Sequence, residues 1–128
     1  MPISHKRILY ATLVFLCLSL LGPGLWEVLR SSPDYGGLIA LHLDALNQLR
    51  AYHGMVAAVG FLAGIAIFNI EHNRSLIFTL AVIMIFIVLS RLVSLFIDGV
   101  PGAITLTYIA IESVITVILL VCMPPKLK

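Results

Sequence analysis

Arg91 and Glu112 are the residues of this chain best placed to do chemistry, because each interrupts an otherwise apolar run. An ionised group costs about 2.5 to 3.5 kcal/mol to place in hydrocarbon, so such residues turn inward and pair. A guanidinium beside a carboxylate can lock two helices or hold an acceptor on a ligand. With a second titratable group nearby it can also support acid–base catalysis. The spacing around both residues is helical. Arg91, Ser94 and Asp98 fall on one face, while Thr105, Tyr108, Glu112 and Thr116 form a second polar stripe. A third face joins Arg50 and His53 to Ala57, Gly60 and Gly64, polar at one end and small at the other, so another helix can approach it closely.

The elements that must carry these faces are set by composition. The chain has 128 residues, of which 61% are hydrophobic and 11% charged. Soluble domains carry about 25% charged residues, so this chain cannot cover itself in water. Its mean hydropathy is +1.12, and the apolar residues come in long runs. Crossing about 30 Å of hydrocarbon takes roughly 20 helical residues. Runs of that length lie at about residues 8–29, 47–70, 75–97 and 103–122. The expectation is all-α: a single domain built as an antiparallel four-helix membrane bundle, with tight turns at "EHNR" and "DGVPG". In the second turn Gly99, Pro101 and Gly102 each have a local backbone reason to be present. The first run begins like a secretory signal, but no small-x-small cleavage site follows it. It reads instead as a retained helix kinked at Gly22-Pro23-Gly24, where proline removes a donor and clashes with the turn before it. Residues 38–49 fit either a short interfacial helix or an N-terminal extension of the second span.

Charge asymmetry orients the bundle. Lys6, Arg7, Arg74, Lys126 and Lys128 fall on one side, so both termini face the cytoplasm. Trp26, Tyr35 and Tyr52 then lie near the outer boundary, where amphipathic rings are favoured. Arg50 and His53 would lie about 5 to 9 Å below that boundary, Arg91 about 9 Å and Glu112 about 13 Å, counting 1.5 Å per residue. Pro23 belongs to the same layer. The reading is a polar site in the outer half, with Arg91 paired to Glu112 and Arg50 able to join as a second cation. The small formal charge of +2 and the absence of a Lys/Arg cluster exclude a nucleic-acid partner. No ligand spacing indicates a metal and no motif indicates a cofactor. Cys17 and Cys122 read as small apolar residues.

The residues quoted above resemble a bacterial membrane family, the domain of unknown function 4345. Asn47, Arg50 and Gly54 match its second-helix pattern; Arg91, Ser94, Asp98, Gly99 and Pro101 match its third-helix string; and Glu112 fits its last helix. Ser90 stands where the family usually has glycine, a small change that leaves the polar positions in place. The resemblance covers roughly residues 45–117 and implies a small four-helix membrane protein. It adds Asn47 to the polar site and Gly54 to the helix-packing positions.

Three functional readings follow. In the first, Asn47, Arg50, His53, Arg91, Tyr108 and Glu112 bind a lipid-like or other amphiphilic small molecule in the bacterial inner membrane. In the second, the cluster only locks helices, and the protein is an accessory subunit of a larger membrane complex or a homo-oligomer. The third is an isomerase-type enzyme using Glu112 and His53 as acid and base. No nucleophile motif accompanies the last, so the balance leans away from catalysis. Membrane lipids are partners in all three.

Overall fold

The computed structural model describes residues 1–29, 34–35, 38–39 and 43–125. Five α-helices account for nearly all of it: α1 (Ile3–Leu16), α2 (Gly22–Leu29), α3 (Leu43–Phe68), α4 (Arg74–Ile97) and α5 (Ala103–Val121). A π-helical turn, Cys17–Leu21, joins α1 to α2, so these three segments make one continuous rod. With that rod counted once, four helices are long and apolar enough to cross a membrane, and the chain is an integral membrane protein with an all-α, four-helix fold. Strands β1 (Asp34–Tyr35) and β2 (Leu38–Ile39) form a two-residue antiparallel ladder in the long connection. Between the two open readings of residues 38–49, the N-terminal extension of the second span holds from Leu43 onward, while Leu38 is extended.

The irregularity in the first rod sits earlier than Gly22-Pro23-Gly24. Pro23 has no N–H to donate, and its ring crowds the carbonyl four residues back, at Ser19. Widening the preceding turn to π-type hydrogen bonding accommodates the ring without breaking the helix. Pro23 itself is exposed.

The rods form a ring. The α1–α2 rod packs along α3, α3 meets α4, α4 packs along α5, and α5 returns to α1. Two contacts tie the chain ends together. Lys6 Nζ donates to Glu71 Oε1 at 2.8 Å, and an Arg74 Nη1 donates to the Pro124 carbonyl. The start of α1, the α3–α4 turn and the end of α5 thus share one end, here called the terminal end; the opposite one is the loop end. The Lys6 ammonium holds the Glu71 carboxyl below its ordinary value. That contribution is present above the ordinary carboxylate range and is lost as pH falls through the lowered value. Both groups are half exposed, so it is small.

Burial divides the bundle along its length. Leu9, Leu13, Leu16, Ala63, Ala66, Ile77, Leu80, Met84, Ile115 and Leu119 form the apolar core, all toward the terminal end. From residue 85 to residue 111 no side chain is buried. In the loop half α2 packs on α3 and on neither α4 nor α5. That contact uses backbone rather than side chains. A Cβ on Gly60 would come to 2.4 Å from the Leu21 nitrogen, and one on Gly24 to 2.8 Å from the Ala57 nitrogen. At Gly64 the nearest neighbour is the Cys17 sulfur, at 3.2 Å. Gly54 belongs to a different side of α3, where a Cβ would meet nothing within 4 Å. The packing role expected for Gly54 is therefore corrected: it lies one residue off the stripe of His53, Ala57, Gly60 and Gly64.

This contrast predicts unequal responses to the same substitution. Gly60→Ala forces two helix backbones apart and should destabilise the protein by about 1 to 3 kcal/mol, the usual range for overpacking. Gly54→Ala should be neutral or slightly stabilising, since alanine is the better helix former. Thermal unfolding of both variants in detergent checks the order, and equal melting temperatures would remove Gly60 as a contact point.

Candidate functional site

Arg91 sits on α4 seven residues beyond Met84, the last core residue of that helix, a distance of about 10 Å along the axis. Glu112 stands on α5 one turn before Ile115, the first core residue there. The two lie at the edge of the apolar core, on the side facing the loop end. They meet as a fork: Arg91 Nε donates to Glu112 Oε2 at 2.5 Å, and Nη2 donates to Oε1 at 2.8 Å. Bidentate geometry of this kind adds directional specificity to the charge attraction. Side-chain exposure is 30% for Arg91 and 18% for Glu112, so the pair is partly covered by protein and partly open.

Aromatic rings flank the guanidinium. The Tyr108 ring, one turn from Glu112 on α5, lies 6.0 Å from the Arg91 guanidinium carbon, at the edge of cation–π range. Tyr52, across on α3, is also near enough to act on the Arg91 charge. Sequence reasoning assigned Tyr52 only to the membrane boundary. The available signal was its position beside His53, which turns it out of the packed stripe and toward the α4 side. Thr116 Oγ1 donates to the Glu112 carbonyl at 2.7 Å, and Ser113 Oγ donates to Ile109 O at 2.7 Å. Neither hydroxyl is aimed at the fork. A shallow apolar hollow of about 250 Å³ runs along Ser113, Val114, Val117 and Ile118, on the face of α5 turned away from Glu112.

Other expected members lie elsewhere. Asn47 and Arg50 are exposed on α3, and no described hydrogen bond or ion pair joins Arg50 to Glu112. The two-cation arrangement is thus corrected to a single pair. Arg50 comes early in α3, at the loop end, where a long side chain extends toward water more readily than toward mid-bundle. His53 is buried, one turn before Ala57 on the α3 stripe that packs against α2, with its ring edge-on to Tyr52 at 5.1 Å between centroids. Ser94 Oγ donates to Asp98 Oδ2 at 2.7 Å, closing a separate polar contact at the end of α4. Asp98 caps that helix, and Gly99 follows with φ +94°, a conformation that favours glycine. Pro101 is half-buried in the same turn. Ser94, Asp98, Gly99 and Pro101 therefore build the α4–α5 turn that sets the register of Arg91 against Glu112. Among the described residues, no three His, Cys, Asp or Glu side chains are grouped to hold a metal ion.

The fork can orient a ligand but is poorly arranged to move protons. Both Glu112 oxygens accept from Arg91, so a proton arriving at either would weaken a charge-assisted bond. Removing one partner leaves an uncompensated charge. Glu112→Ala should cost about 2 to 3 kcal/mol of stability and lower the melting temperature more than Asp44→Ala. The double variant Arg91→Ala/Glu112→Ala should cost less than the two single variants together. A double-mutant cycle in detergent measures this, and strict additivity would sink the pairing.

Comparison with curated proteins finds no match, and neither does comparison with solved structures. One family profile does match, and it spans every helix of the bundle. The chain belongs to the family described as Domain of unknown function (DUF4345), over residues 4–123.

Proposed function

We propose that this protein binds an amphiphile in the outer half of the inner membrane, its head group at the Arg91–Glu112 fork. The observation that carries the reading is a fork with donors to spare where α4 and α5 bury no side chain. Arg91 gives Glu112 its Nε hydrogen and one Nη2 hydrogen. Guanidinium has five donors, so the Nη1 pair and the second Nη2 hydrogen form a free edge. Around Arg91 in sequence, from residue 85 to residue 111, no side chain is buried. Small helical bundles commonly hold ligands between facing helices.

The orientation belongs to the same proposal. Lys6, Arg7 and Arg74 gather at the terminal end, where Lys6 and Arg74 also make its two tying contacts. Positive residues favour the cytoplasmic side, so that end is cytoplasmic and the fork lies toward the outer leaflet. A fluorescent reporter that matures only in the cytoplasm, fused after Lys128, should be bright in a bacterial host. A phosphatase active only outside should be silent at the same position. The reverse pattern would invert the bundle and move the site to the inner leaflet.

Binding itself is tested by extraction. The wild-type protein and Arg91→Ala/Glu112→Ala, purified in mild detergent and extracted with organic solvent, are compared by mass spectrometry. The expected result is one amphiphile near stoichiometric with the wild type and depleted at least about tenfold in the variant, a difference of about 1.4 kcal/mol. Bulk lipid alone in both extracts would leave the fork as a helix lock and favour an accessory or oligomeric role.

A further inference from the structure

The fork also carries information about which head group it accepts, and this inference rests on the binding reading above. We infer that the ligand's head group is neutral and carries a carbonyl oxygen, and that it is not a phosphate. The charge balance at the site is the reason. Glu112 lies on two of the Arg91 donors at 2.5 and 2.8 Å, so the cation is already compensated. Among the described residues no second Lys or Arg pairs with this fork, and Arg50 stands apart and exposed at the loop end. A phosphate brought to the free edge would place one or two further negative charges beside Glu112, against a single positive charge. In a medium of low dielectric that excess is repulsive over several ångströms.

A carbonyl oxygen meets no such penalty. It accepts from the Nη1–Nη2 edge, leaves the fork intact and satisfies donors that have no other partner in hydrocarbon. The rest of the site fits the same chemistry. Each Glu112 oxygen keeps acceptor capacity beyond the bond from Arg91, so a hydroxyl or amide N–H on the same head group has somewhere to donate. Tyr108 is 53% exposed, which leaves an aromatic face available beside the guanidinium. A phenol and a compensated ion pair make a surface for a polar but uncharged group. The chemical class is thus an amphiphile with a carbonyl head, of the ester, amide or quinone kind.

Two probes with the same tail separate the possibilities: 1-monooleoylglycerol, an uncharged ester, and its 3-phosphate. Binding of each to the purified wild-type protein is measured in detergent by native mass spectrometry. The expected result is a preference of about tenfold or more for the uncharged ester. Glu112→Gln removes the compensating charge while keeping an acceptor toward Arg91. It should shift the preference toward the phosphate by at least the same factor, a reversal that a purely structural role for the pair would not produce. Preference of the wild type for the phosphate would overturn the head-group assignment while leaving the binding site in place. Failure of both probes to bind the wild type, together with an empty extract, would overturn the site as well. Should Glu112→Gln fail to fold, the wild-type preference decides alone.

Discussion

An arginine carried into hydrocarbon must bring its counter-charge with it or be matched by a carboxylate from another helix. Arg91 and Glu112 meet this requirement from different helices, and the rest of the loop half follows from it. Between residues 85 and 111 no side chain is buried, so α4 and α5 have no apolar core there to hold them in register. The fork supplies that register through two directed bonds. The short turn supplies the other end of the constraint: Ser94 bonds to Asp98, Asp98 caps α4, and Gly99 reverses the chain with φ +94°. A hairpin pinned at its tip and at its middle needs little packing between.

The α2–α3 side of the bundle uses the opposite device. There the helices approach until a single added methyl at Gly60 would strike the Leu21 backbone. Association of helices in lipid gains nothing from expelling water, so close van der Waals contact and interhelical hydrogen bonds must serve instead. The π-helical turn at Cys17–Leu21 lies against Gly60 and Gly64. Its widened backbone, forced by Pro23, is thus part of the contact surface. Proline and the two glycines form one device: proline creates the bulge and the glycines make room for it. The two hairpins, one closed on backbone contact and one held by charge, join through the apolar core at the terminal end.

Much of this was legible in the residues, and the reasons differ from part to part. The spans were visible because hydrocarbon thickness sets helix length directly, and α4 and α5 begin and end within a residue of the expected positions. The Arg91–Glu112 pair was visible because two lone charges in apolar runs at comparable depth have few alternatives. Depth and helical face do not fix which neighbour a helix presents that face to, however. Arg50 shares a depth with Arg91, yet it lies at the start of α3 and is exposed. His53 faces the stripe that closes on α2 instead of the fork. The location of the bend was also hidden: a proline announces that the helix must adapt, but the turn that adapts lies upstream, at Cys17–Leu21. Tyr52 was hidden for the same reason as Arg50, because its relation to Arg91 depends on how α3 is rotated about its axis.

That rotation has a consequence for chemistry. His53 is buried on the α3 stripe, and the groups described around Arg91 are the Tyr108 phenol, a carboxylate already engaged, and hydroxyls bonded to their own helix backbones. Among the described residues that set holds donors, acceptors and an aromatic face, with both oxygens of the carboxylate engaged. General acid–base catalysis requires a group able to take and return a proton near the operating pH, and the fork opposes this by tying both Glu112 oxygens to a cation. The same two bonds that hold α4 against α5 therefore engage both oxygens of the carboxylate, and they tie the stability of this hairpin to the ion pair.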